Sequence, residues 1–301
     1  MRTAFINQLI EEARLNERIF LLVGDLGYHV VEPFANEFPN RYLNVGIAEQ
    51  NMAGVAAGLA MTGYNVYMYS IGNFPTLRCL EQIRNDIAYH NANVKVVAVG
   101  AGYAYGSLGA THQATEEIGA LRVIPNMTVC TPGDPMETKS IVKISSRYDG
   151  PMYIRLGKAG ERIVHRIDKL DLKIGDLVPV LTSSGSRKAV LACGNILETT
   201  KNQIVSSNLP YDLYSVAFIK PIDRNQLKII AQRYPDGIIT IEEHQMSCGM
   251  GSAIIEQIND LYECGDIMHY PKIKRIAIPD EFADVVGSQT YLREYENIKL
   301  V

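Results

Sequence analysis

The sequence predicts an α/β fold of two domains, each a mainly parallel sheet flanked by helices. Three observations predict it. Short apolar runs alternate with helical periodicities in both halves of the chain. A length of 301 residues with 47% hydrophobic and 21% charged side chains supplies enough apolar surface for two cores. A charged stretch at 158–176, punctuated by Gly160 and Gly175, holds no strong period and reads as a linker. The first domain is expected over residues 1–165 and the second over 180–301.

Residues 3–16 carry apolar side chains at helical spacing, and Ile19 to Gly24 is a short apolar strand ending in Gly24-Asp25. A strand around Tyr42 to Val45, a helix from about Glu49 to Met61 and a strand from Asn65 to Tyr69 come next. A helix around Leu77 to His90 leads to a strand from Val94 to Val99, after which the chain turns glycine-rich. Val129 to Thr131 reads as a strand, Pro135 to Arg147 as a helix with proline at its start, and Met152 to Leu156 as another strand. The second half continues the alternation, with strands at 189–193, 211–216 and 238–242 and helices at 196–207 and 223–233.

Several function classes fall away on composition. A net charge of −4 with no Lys/Arg-rich run gives no electrostatic footprint for nucleic acid. No apolar stretch is long enough to span a bilayer, and the first residues lack the apolar core and cleavage site of a signal peptide. The five cysteines are scattered singly, with no metal-ligand spacing, so no metal site is expected within the chain and a reducing, cytoplasmic setting is.

Five side chains carry candidate chemistry. Glu49 is the one acidic side chain between Glu37 and Glu81, and it stands at the mouth of a helix of small and apolar residues. Desolvation there makes it a candidate acid/base group, although a glutamate in a first helical turn also satisfies free N–H groups. Asp25 ends a strand where ligands bind in parallel sheets, and reads equally as a turn or capping residue. Phe74, in a loop after a strand, is either a core side chain or a face for stacking on a heteroaromatic ring. His112, in Gly109-Ala110-Thr111-His112-Gln113, is either solvated or a proton-transfer group. Arg155 places a charge inside an apolar strand, which calls for an acidic neighbour or for a phosphate or carboxylate ligand.

The run Gly46-Ile47-Ala48-Glu49-Gln50-Asn51-Met52-Ala53-Gly54, with Gly58-Leu59-Ala60, resembles the pyrimidine-binding signature of transketolases and deoxyxylulose-phosphate synthases. Ala110-Thr111-His112-Gln113 is similar to the Pro-Thr-His-Gln of that family, and Ile238 to His244, Gly249-Met250-Gly251 and Ala277 to Phe282 resemble its carboxy-terminal domain. The resemblance implies thiamine diphosphate as cofactor, with Glu49 hydrogen-bonded to a ring nitrogen of the aminopyrimidine and promoting the imino tautomer that removes the thiazolium C2 proton. It implies Asp25, Ile71, Phe74 and Arg78 near the cofactor, Phe74 lying against the pyrimidine. It implies His29, His112 and Arg155 as substrate contacts, Arg155 on a phosphate, and hence sugar phosphate substrates. Two positions depart from the family: Leu108 stands where an aspartate binds a substrate hydroxyl, and Gly100 where a histidine binds phosphate. An unusual or deoxygenated sugar would suit them.

Family members also carry a further α/β domain that holds the diphosphate through a divalent cation by way of Gly-Asp-Gly. The Gly-Asp pairs here continue with Leu26, Pro135, Leu177 and Ile267, so that motif is absent. The expectation is the carboxy-terminal half of a split transketolase, with magnesium or another divalent cation held by a separate amino-terminal subunit in an α2β2 assembly. The alternatives are the β subunit of a 2-oxoacid dehydrogenase E1 component and a catalytically silent partner subunit.

Overall fold

The computed structural model describes residues 1–165, 167 and 170–301; Arg166, Asp168 and Lys169 of the expected linker lie outside the described residues. In the first half α1 (Arg2–Leu15), β1 (Ile19–Val23), α2 (Glu32–Glu37), β2 (Tyr42–Asn44), α3 (Glu49–Met61) and β3 (Asn65–Ile71) follow one another. They continue into α4 (Leu80–Gln82), β4 (Val94–Val99), α5 (Glu117–Arg122), β5 (Thr128–Cys130), α6 (Pro135–Ser145) and β6 (Met152–Leu156). The second half holds β7 (Leu177–Leu181), β8 (Lys188–Ala192), α7 (Ile196–Ser206), β9 (Tyr211–Val216) and β10 (Phe218–Lys220). It ends with α8 (Arg224–Arg233), β11 (Ile238–Gln245), α9 (Met250–Glu263), β12 (Ile273–Ile278) and α10 (Gln289–Tyr295).

Among the described residues these strands form two sheets, in the orders β10-β5-β6-β4-β3-β1-β2 and β12-β11-β8-β9-β7. Both are parallel except at one edge, where β10 and β7 run antiparallel to their neighbours. The central strands are sealed on both faces, so all six residues of β4, Val94 to Val99, are buried, and the one polar side chain among them, Lys95, donates to Tyr148 O at 2.8 Å and Gly150 O at 2.7 Å. Helix α1 turns Phe5, Ile6, Leu9, Ile10 and Ala13 inward, and Phe5 stacks on Tyr69 of β3 with ring centroids 5.9 Å apart. Helix α6 starts where Pro135 follows Asp134, whose side chain accepts from Glu137 N at 2.8 Å.

Two features differ from the sequence expectation. The helix expected from Leu77 to His90 is a 3₁₀ turn (Leu77–Cys79), the single turn α4 and a π-helical turn (Ile83–Ala88). Cys79, Ile83 and Ile87 recur every four residues and are all buried, and the wider turn keeps that row against the core. The second difference is that β10, from the second half of the sequence, joins the first sheet. Phe218 pairs with Cys130 and Lys220 with Val129, which supplies partners to β5, otherwise an open edge. The two sheets therefore share chain, and the linker is fastened too: Asp134 Oδ2 accepts from Val164 N at 2.8 Å, and His165 Nε2 meets Glu137 Oε1 at 2.7 Å.

Candidate active site

The loops leaving the carboxyl ends of β1, β3 and β4 converge on the first turn of α3, the place where a parallel sheet presents ligands. Glu49 is the first residue of α3 and is 1% exposed. Its Oε1 accepts from Ser70 Oγ at 3.1 Å and its Oε2 pairs with Arg78 Nη1 at 2.9 Å. The carboxylate is thus sealed yet held from two sides, which satisfies the requirement that a buried charge be paired. The β1 turn packs against this pair: a Cβ on Gly24 would stand 3.4 Å from both Glu49 Oε1 and Ser70 Oγ, in ordinary contact.

Phe74 and His112 are linked to this carboxylate through Arg78. Arg78 spans the gap, its guanidinium carbon 4.3 Å from the Phe74 ring centroid while its Nη1 reaches Glu49. The Phe74 and His112 rings meet edge to face, with centroids 5.2 Å apart. His112 Nδ1 lies 3.0 Å from Thr111 Oγ1, leaving Nε2 as the ring atom open to exchange a proton. The structure therefore brings Glu49, Arg78, Phe74 and His112 into one continuous set of contacts.

Asp25 and His29 occupy the neighbouring rim. Both are exposed and both take positive φ, 54° and 63°. Asp25 Oδ1 accepts from Asn44 Nδ2 at 2.9 Å, and Asn44 Oδ1 in turn accepts from Asp25 N and Gly46 N, both at 3.0 Å. Asp25 thereby ties the β1 loop to the strap that leads into Glu49. The backbone N–H of His29 donates to Glu32 Oε1 at 2.8 Å, and its ring makes no hydrogen bond among the described residues. Ile71 lines a cavity of about 250 Å³ together with Arg2, Tyr28, Tyr69 and Tyr105.

Arg2 of that cavity and Lys158 close to its Tyr105 wall are residues the sequence pattern did not single out. Arg2 Nε is buried with no partner among the described residues, and Lys158 Nζ stands 5.0 Å from the Tyr105 ring centroid. Burial pushes the Tyr105 hydroxyl above its ordinary range, against the pull of the Arg2 cation. A Cβ on Gly100 would collide with the Tyr105 ring, so Tyr105 fills the space beside the position where the resemblance expects a histidine. Lys158 follows β6, and the rule that ligands gather at the carboxyl ends of strands is the signal that points to it. Leu108 is 55% exposed in the His112 loop.

Arg155 lies in an enclosed setting away from the Glu49 cluster. It is 1% exposed, and Nε donates to Glu117 Oε1 at 2.5 Å while Nη2 donates to Ala114 O at 2.6 Å and Glu243 O at 3.0 Å. The guanidinium is enclosed, with Nε and Nη2 engaged by protein groups and the buried Nη1 alone lacking a partner among the described residues. The acidic neighbour that the sequence left open as an alternative is Glu117.

The residues around Glu49 fit a thiamine pyrimidine. They combine a sealed carboxylate, an aromatic ring at the rim, and two buried amide atoms, Asn73 Oδ1 and Gln113 Nε2, that lack partners among the described residues. Among the described residues no group of three or more His, Cys, Asp or Glu side chains could hold a metal ion.

Comparison with known proteins identifies the family. Residues 1–161 match the family model for the transketolase pyrimidine binding domain and residues 180–295 that for the transketolase C-terminal domain. A putative transketolase C-terminal section from Methanocaldococcus jannaschii is 35% identical, covering 98% of this chain and 91% of its own length. One of the subunits of an apulose-4-phosphate transketolase, from Phocaeicola vulgatus, is 31% identical over 93% of this chain and 88% of its own length. Among solved structures, a split-gene transketolase described as an inactive β4 tetramer superposes with a TM-score of 0.85 at 32% identity, covering 99% of this chain and 93% of its own. With both domains matched, and with relatives aligned along nearly their whole length, this chain belongs to the transketolase family, as a carboxy-terminal section of the split, ketol-transferring kind.

Proposed function

We propose that the chain works with a separate amino-terminal subunit, most simply as α2β2, to transfer a two-carbon ketol unit from a sugar phosphate or related anionic ketose. The sealed carboxylate of Glu49, beside the Phe74 and His112 rings, is the observation that carries the reading. Thiamine diphosphate, when bound, supplies a nucleophilic carbon that accepts and hands on the ketol unit. Glu49 would hold a proton on a pyrimidine nitrogen, with Ser70 orienting its Oε1, and Phe74 would lie against the ring. His112 would move protons at the substrate through Nε2. Asp25, Ile71 and Arg78 shape the cofactor side and His29 the substrate rim. The diphosphate and its divalent cation are assigned to the partner, because Gly-Asp-Gly is absent from this sequence.

For the substrate anion we assign Arg2, which lines the cavity next to Ile71, and Lys158, whose Nζ stands 5.0 Å from the ring of the lining residue Tyr105, in place of the enclosed Arg155. The exposed apolar Leu108 favours a sugar lacking the hydroxyl that an aspartate there would bind. Relatives named for apulose 4-phosphate and for 6-deoxy-6-sulfo-D-fructose support an unusual ketose with an anionic end.

The test compares the purified chain alone with the chain plus its amino-terminal partner, on ketose phosphates and on 2-oxoacids with an electron acceptor. Ketol transfer that requires both chains is expected. Full activity of the isolated chain, or turnover of 2-oxoacids alone, overturns the proposal.

A further inference from the structure

The loop that carries His112 leaves β4 at Gly100 and runs to α5. Its two ends are stitched together, Gly102 N donating to Ala114 O at 2.9 Å and Ala114 N to Gly102 O at 3.0 Å. Both ends are then fastened to β11 of the second domain. Tyr103 N donates to Glu243 Oε1, and Gln245 N donates to Thr115 O at 2.8 Å. Glu243 is 1% exposed and is gripped in turn by α10, accepting from Gln289 Nε2 at 2.8 Å and from Arg293 Nε. Arg293 reaches on to Asn195 Oδ1 at 2.9 Å and Thr199 Oγ1 at 3.1 Å.

The apolar contacts repeat this arrangement. A Cβ on Gly106 would collide with Leu292 of α10, so the helix seats directly on the loop backbone three residues after Tyr103. A Cβ on Gly102, whose φ is +58°, would strike the Glu243 carboxylate, so glycine is what permits that approach. A buried charge used for packing alone costs more than an apolar side chain of similar volume. Here Arg293 pairs the charge through Oε2, while Oε1 holds a backbone N–H of the loop that presents Leu108 and His112.

From this juxtaposition we propose that the second domain positions the substrate side of the active site, Glu243 acting through the Tyr103 N–H and Leu292 through Gly106. Glu243 is a positioning residue: it sets where His112 and Leu108 stand without touching substrate. The inference rests on the reading of His112 as substrate-facing, and its test separates the two. Glu49 belongs to α3 and is held by Ser70 and Arg78, outside this strap.

In the complex with the amino-terminal partner, Glu243→Gln and the milder Gln289→Ala are compared with the wild type. The readouts are amide hydrogen exchange across 103–113, kcat and KM for a ketose phosphate, and thiamine C2–H exchange. Amide exchange in 103–113 is expected to accelerate and kcat/KM to fall about tenfold or more, while C2–H exchange stays within about twofold, because misplacing a reacting group by an ångström costs that much. Two results overturn the proposal. One is unchanged loop exchange and kcat/KM in both variants; the other is loss of C2–H exchange in step with loss of amide protection over the whole chain, the mark of a merely structural role. The amide measurement needs no turnover, so an inactive wild-type complex sinks the functional reading while a loosened loop still supports the strap.

Discussion

Arg78 pairs with Glu49 Oε2 at 2.9 Å while its guanidinium carbon lies 4.3 Å from the centroid of the Phe74 ring. One exposed arginine thus links the buried carboxylate to the aromatic wall of the site. Because Arg78 is 43% exposed, solvent weakens the pairing, and the carboxylate keeps Ser70 when it is lost. Arg78→Ala is expected to lower stability by only about 1 kcal/mol, measured by urea unfolding. A loss several times larger would show that Ser70 alone cannot hold the charge.

Glu49→Gln keeps the shape and an acceptor for Ser70 but cannot share a proton as a carboxylate does. In the reconstituted complex, thiamine C2–H exchange should fall at least about a hundredfold while assembly persists. Undiminished exchange would remove Glu49 from the chemistry.

Arg155 and Glu117 form a sealed pair, so removing one member strands the other. Arg155→Met should destabilise the chain by about 3–5 kcal/mol, and the double variant Arg155→Met/Glu117→Gln should recover part of that. Denaturant midpoints of the four proteins in the cycle provide the check. A variant as stable as wild type, with only KM raised, would return Arg155 to the substrate.

Arg2 lines the cavity beside Ile71, and Lys158 Nζ stands 5.0 Å from the ring of Tyr105, which lines it too. Lys158→Ala should raise KM for a phosphorylated ketose about tenfold, with little change for the same sugar without its phosphate, as expected for loss of one charge-assisted contact. An equal effect on both sugars would contradict a phosphate contact.

The linker clasp should respond to pH. Burial disfavours the His165 cation, but the Glu137 carboxylate at 2.7 Å outweighs it, so the imidazole titrates above its ordinary value. A raised folded-state pKa contributes stability that is complete below the unfolded value and is lost as pH rises through the folded one. The urea midpoint of wild type, relative to that of His165→Gln, should therefore decline from about pH 6 upward. A difference that grows with pH would contradict the clasp.

Leu108 is exposed, so Leu108→Asp should leave stability within about 0.5 kcal/mol while shifting preference toward sugars with an additional hydroxyl. Competition between two ketose phosphates reads the shift directly.

Much of this was legible in the sequence because it is local. Apolar runs of strand length, alternating with helical periods, specify which segments become β1, β3, β4 and α3, and a parallel sheet then gathers Asp25, Glu49, Phe74 and His112 near the strand ends. The sequence by itself determined the two-domain α/β architecture, the lone carboxylate at the start of α3 and the glycine-bounded histidine loop. The tertiary structure alone decided who meets whom across long separations. Arg155 finds Glu117 38 residues away, Tyr103 N finds Glu243 140 residues away, and β10 crosses to complete the first sheet. The physical reason is that periodicity fixes the conformation of a segment, whereas a charge buried within an apolar strand is satisfied only by whatever folding brings beside it, and spacing along the chain carries no record of that partner.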